Sequence, residues 1–159
     1  MDAGEVYKRL APSVLGYLRG QRVPDPEDLL GEIFLHVAQS LDGFHGDEEE
    51  DLRRWVFTIA RHRVIDDSRR RARRPRAASG EAPDRPAPIE PPSLDPDLID
   101  ALGRLTAEQR EVIALRFIAD LATADVARIT GRSEGAVKSM QLRGLDQLAR
   151  SLRRSGSAE

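Results

Sequence analysis

Residues 52–74 read LRRWVFTIARHRVIDDSRRRARR. Trp55, Val56, Phe57, Ile59, Ala60, Val64 and Ile65 recur at helical spacing and cover more than one side of the resulting helix. A helix that is apolar over so wide an arc packs against two others, which predicts a small helical bundle with this segment at its centre. Trp55, with Ile59 four residues on, is expected in that core. The arginines crowd the distal end.

Upstream, residues 4–18 predict a first helix with Val6, Leu10, Val14, Leu15 and Leu18 inward. A second begins at Asp25-Pro26. Aspartate is a good N-cap, and proline suits the first helical position, where the missing N–H has no partner anyway. Leu29, Leu30, Ile33, Phe34, Val37 and Leu41 form its core stripe, and Asp28, Glu32 and His36 lie opposite at i, i+4 and i+8. The acidic stretch DGFHGDEEED, residues 42–51, reads as a loop.

Downstream, residues 75–92 hold six of the ten prolines among Ala, Gly and Ser. Such a segment cannot bury enough apolar surface to offset ordering, and predicts a flexible, semi-extended linker. A second helical unit starts near Asp95-Pro96. Thr106 and Gln109 match a capping box opening a helix with Val112, Ile113, Leu115, Phe117 and Ile118. A short helix at 123–129, a turn at Thr130-Gly131-Arg132 and a helix opened by Ser133 make a helix-turn-helix candidate. In that last helix Val137, Met140, Leu145 and Leu148 share one side, and Lys138, Ser139, Leu142 and Arg143 the other. Such motifs set the second helix in the DNA major groove. There Lys138 and Arg143 can meet phosphate or guanine, Ser139 a donor or acceptor, and Leu142 a thymine methyl.

The expected fold class is therefore all-α, with two small helical domains joined by a flexible Pro-rich linker. The boundaries are 1–74, 75–94 and 95–159. Cysteine is absent, which excludes disulfides and thiolate metal sites and fits a reducing compartment. No apolar run approaches membrane-spanning length and no signal-peptide pattern opens the chain, so a cytoplasmic protein without membrane insertion is expected. Glu32 and His36 are a conceivable i, i+4 metal pair, but the three histidines fall on different segments and no nucleophile–base constellation is visible. No catalytic residue, metal or cofactor is expected. The net charge of −2 hides segregation: residues 24–51 carry ten acids and no Lys or Arg, whereas residues 52–76 carry ten Arg against two Asp. Such blocks suit partners of opposite sign.

PEDLLGEIFLHVAQSLDGF (residues 26–44), the segment LRRWVFTIARHRVIDDSRRR (52–71) and the segment from Leu105 to Arg150 resemble regions two and four of bacterial sigma factors, specifically the compact extracytoplasmic-function type. The resemblance implies that the acidic helix with Asp28, Glu32 and His36 docks on the β′ clamp helices of core RNA polymerase, with the β flap as a further contact. It implies that Phe44, His45, Arg61, His62 and Arg63 read and melt the minus-ten element of promoter DNA, while Arg69, Arg70 and the arginines to Arg76 hold phosphates. Lys138, Ser139, Leu142 and Arg143 would read the minus-thirty-five element, with Arg132 on a backbone phosphate. An anti-sigma factor is a further expected partner. Gly31, Ala38, Leu52 and His62 depart from the family's usual residues and bear on minus-ten specificity; Met140, Gln141 and Gly144 bear on minus-thirty-five specificity. A plain helix-turn-helix regulator, or a sigma-like decoy that binds polymerase without directing initiation, are the alternative readings.

Overall fold

The computed structural model describes residues 1–73 and 94–157, and all regular elements among them are helical. Helix α1 spans Ala3–Gly20 and is capped by Asp2, whose carboxylate accepts from the Glu5 N–H at 2.9 Å. Helix α2, Pro26–Ser40, opens at the expected Asp-Pro step. The Asp25 carboxylate makes no cap bond; it pairs with Arg71 at 3.2 Å instead. A 3₁₀ turn, Leu41–Gly43, leads into α3, Glu49–Arg73. The loop before α3 is shorter than expected because Glu49, Glu50 and Asp51 join its first turn. Acids are stabilised there by the helix dipole.

Val6, Leu10, Val14 and Leu18 of α1, Ile33 and Val37 of α2, and Leu52, Val56, Phe57 and Ala60 of α3 are fully buried. Tyr17 meets Phe57 edge-on at 5.5 Å, and Tyr7 meets Phe34 at 5.0 Å. These T-shaped contacts suit the aromatic quadrupole. Burial pushes the Tyr17 phenol pKa up.

In the second half, α4 (Pro96–Gly103) is capped by Asp95, which accepts from the Asp97 N–H at 2.8 Å. Helix α5, Ala107–Ile113, carries the capping box with both bonds made, at 3.1 Å and 3.3 Å. It continues into a π-helical turn, Ala114–Ile118, closed by the Ala119 N–H donating to the Ala114 carbonyl at 2.9 Å. Helix α6 is Thr123–Thr130. Gly131 ends it at φ +70°, a left-handed conformation that glycine adopts without a Cβ penalty. Helix α7, Glu134–Ser157, follows, with Ser133 Oγ accepting from the Ala136 N–H at 3.1 Å.

Two of the apolar positions named from the sequence are not buried. Phe117 is 47% exposed, because the wider π turn carries it out of the α-helical phase. Leu145 is 38% exposed, and its neighbour Gly144 faces the core, where a Cβ would stand 3.0 Å from Ile113.

The two halves pack on each other. One continuous buried cluster contains Val14, Phe57 and Ala60 of the first half with Leu115, Val126 and Val137 of the second. Gly20 lies so near Ile118 that any Cβ would be 2.6 Å from that side chain. The Arg22 and Arg53 guanidinia donate to the carbonyls of Ile99 and Ala119, at 3.3 Å and 3.1 Å. All but the last residue of the expected linker lies outside the described residues, as do Arg74 and Arg76.

Candidate nucleic-acid and partner surfaces

The αL turn at Gly131 redirects the chain so that α7 presents its outer side beyond α6. Lys138, Leu142 and Arg143 are exposed there and Ser139 is half-buried, so the four form one row, with Leu142 69% exposed. A leucine this exposed between two cations suits a base methyl flanked by phosphates or guanine edges. Arg132 stands apart. Its guanidinium donates to Glu111 Oε1 at 3.1 Å and is only 21% exposed.

The second surface is a cleft of about 710 Å³ at the start of α3. Phe44, His45 and His62, named from sequence, line it together with Trp55, Arg54 and Arg128. Phe44 and Trp55 stack at 5.1 Å. Trp55 is thus half in the core and half in the cleft wall, not the wholly internal residue that its spacing suggested. An aromatic stack beside arginines can hold a planar base and its phosphates.

The remaining cations of the sequence-derived set disperse. Arg61 donates to Glu111 Oε2 at 3.0 Å and to the Ile129 carbonyl at 3.4 Å, both in the other half. Arg63 lies 3.3 Å from His36 Nδ1, across to α2. Arg69 and Arg70 are exposed at the far end of α3, where Arg70 faces Glu32 at 3.6 Å.

The third surface is the outer side of α2. Glu32 is exposed, Asp28 and His36 are half-buried, and Leu35 among them is 60% exposed. An apolar side chain ringed by acids is the pattern of a docking anchor with a charged rim. Since Glu32 faces Arg70 and His36 meets Arg63, the conceivable metal pair is otherwise engaged. Among the described residues no group of three or more His, Asp or Glu is placed to hold a metal, and no helix is long and apolar enough to cross a membrane.

Sequence reasoning missed Leu35, Arg54, Arg128, Glu111 and Asp125. Arg54 bridges Asp51 at 3.1 Å and Asp125 at 3.0 Å. Its hydrogen bond to Asp125 holds the guanidinium pKa above its ordinary value. Only the over-wide apolar arc of residues 55–65 hinted that part of α3 serves something besides its own bundle.

Two families match this chain: sigma-70 region 2 over residues 6–74 and sigma-70 region 4 over residues 96–148. The ECF RNA polymerase sigma factor BldN of Streptomyces coelicolor is 32% identical over 158 residues, covering 94% of this chain; the chain spans only 60% of BldN's length. The ECF RNA polymerase sigma factor ShbA of Streptomyces griseus is 33% identical over 167 residues, covering 92% of this chain and 87% of ShbA. Among solved structures, the sigma factor RpoE of Bartonella quintana, crystallised with the anti-sigma factor NepR, superposes with a TM-score of 0.76. It is 24% identical and the match covers 94% and 96% of the two chains, a likeness of fold. The chain belongs to the extracytoplasmic-function (ECF) RNA polymerase sigma factors.

Proposed function

We propose that this ECF sigma factor binds core RNA polymerase in the cytoplasm and directs it to promoters, with no catalysis of its own. Residues 1–74 form the polymerase-binding and minus-ten unit, 75–94 the linker, and 95–159 the minus-thirty-five unit. The observation that carries this reading is the pairing of two unlike surfaces on one chain. One is the exposed Lys138–Leu142–Arg143 row on the second helix of a helix-turn-helix. The other is an aromatic cleft bordered by histidines and arginines. The first suits duplex read through its groove. The second suits an unstacked base, whose capture offsets the few kcal/mol of opening.

The roles then divide by surface. Lys138, Ser139, Leu142 and Arg143 read the minus-thirty-five duplex. Phe44, His45, His62 and Trp55 hold the minus-ten strand, and Arg69 and Arg70 contribute sequence-blind phosphate contact. The α2 face with Asp28, Glu32, Leu35 and His36 docks on the β′ clamp helices, where its acids suit a basic partner. The second unit meets the β flap. With both units held on one polymerase, the second DNA contact becomes intramolecular and gains an effective concentration. An anti-sigma factor that covers these faces restrains the chain.

Transcription in vitro with purified core enzyme on genomic fragments tests the reading. New start sites sharing two upstream elements are expected, and their loss with Lys138→Ala/Arg143→Ala. A decoy would keep its polymerase binding and give no start sites, and a plain regulator would not co-purify with core enzyme.

A further inference from the structure

The joint between α1 and α2 is strained at one residue. The Arg22 N–H donates to the Arg19 carbonyl at 3.0 Å and the Val23 N–H to the Leu18 carbonyl at 3.1 Å, the two bonds of a Schellman turn at a helix end. The left-handed position of that turn, usually glycine, is Arg22 at φ +60°. Strain of this kind persists only where the surroundings hold it, and it gathers at ligand sites. Here it sets a guanidinium against α4, where Arg22 donates to the Ile99 carbonyl at 3.3 Å.

Arg22 also stands in the wall of a cavity of about 460 Å³ between that joint, the distal part of α3 and the start of α5. Arg69, Arg71 and Arg110 share the wall with two acids, Asp67 and Glu111. Both acids are already engaged: Asp67 takes Arg71 at 2.9 Å, and Glu111 takes Arg61 and Arg132. Arg110 donates to the carbonyls of Leu102, Gly103 and Leu105, at 2.9, 3.5 and 3.2 Å. Among the described residues, Arg22, Arg69 and Arg110 pair with no carboxylate. Burial, and after it the charge of Arg22, lowers the Arg110 pKa. Like charges gathered without a counter-charge disfavour one another and favour an arriving anion. Val23, Val64 and Ile65 add an apolar wall beside them.

We propose that this cavity binds a nucleoside di- or triphosphate, with the phosphates on Arg22, Arg69 and Arg110 and the base against Val23, Val64 and Ile65. Guanidinium forks match phosphate oxygens, and the flat apolar wall suits a planar ring. The volume lies within the roughly 300–1,000 Å³ of small-molecule sites. The ligand is held and no bond is made or broken. The cavity is separate from the Phe44–Trp55 cleft and from the α7 row. Of the residues given promoter roles above, Arg69 alone would touch the ligand, so the nucleotide site stands or falls without those roles.

Calorimetric titration of the full chain, without polymerase or promoter, tests this with ATP, GTP, adenosine and inorganic triphosphate. Saturable binding of one nucleotide per chain is expected, with triphosphate weaker and adenosine not bound. Arg22→Gly is the deciding variant. Glycine relieves the left-handed backbone, so the thermal midpoint should hold or rise while nucleotide affinity falls about tenfold. Arg69→Ala, at an exposed side chain, should lose a similar factor. Arg9→Ala removes an exposed cation paired with Glu49 and should leave affinity unchanged. Should Arg22→Gly lower the midpoint, Arg69→Ala carries the decision. No saturable binding overturns the proposal, as does an affinity that neither variant weakens or that Arg9→Ala weakens equally. Triphosphate binding as tightly as ATP and GTP overturns the nucleotide assignment and leaves a bare phosphate site. A short single-stranded DNA that displaces the nucleotide and weakens tenfold with Arg22→Gly overturns it as well, since the arginines then belong to a nucleic-acid strand.

Discussion

The two ends of α3 carry the same residue type in two different settings. At the near end, Arg54 and Arg61 are turned into carboxylates of the other half and are 30% and 19% exposed. At the far end, Arg70 and Arg71 are 49% and 45% exposed and, among the described residues, pair within the first half, with Glu32, Asp25 and Asp67. Arginine content alone therefore does not mark a nucleic-acid surface. The near arginines are partly shielded and committed, so removing one takes a partner from a shielded acid. The far ones exchange partners in water, where an ion pair contributes little and a phosphate displaces it readily.

The comparison can be broken in order of effect. Phe57→Ala, at the packed end, should lose about 3–5 kcal/mol, since the ring is fully buried and meets Tyr17; denaturant unfolding reads it. Arg61→Ala should cost about 2 kcal/mol in the same experiment, because Glu111 loses one of its two arginines among the described residues. Gly31→Ala on the open side of α2, where nothing lies within 4 Å of the added methyl, should gain about 1 kcal/mol. Arg70→Ala should change stability by less than about 0.5 kcal/mol. In complex with polymerase it should still flatten the salt dependence of DNA binding by about one unit of log–log slope. A stability loss at Arg70 as large as at Arg61 would erase the distinction between the two ends.

Much of the fold was legible in the sequence. Asp95-Pro96 and the Thr106–Gln109 box start helices where they are written, because caps are local chemistry. The α2 stripe also lies inward, from Leu29 to Val37. Phase errors arose where the period changes: one π turn displaced Phe117, and the buried Gly144 was invisible to a pattern that counts apolar side chains. Of the candidate site, the α7 row was readable from helical spacing alone. The interface between the halves was not. Arg54, Arg61, Glu111, Asp125 and Arg132 are charged and scattered over residues 54–132, so each looks like solvated surface until the fold brings them together.

The chain has a single tryptophan, and that residue stacks on Phe44 in the wall of the cleft between the halves. Its indole is consequently a built-in optical gauge. Swinging α6 away would wet the ring and redden its emission, so the unmodified protein would report any separation of α6 from α3 in a fluorimeter.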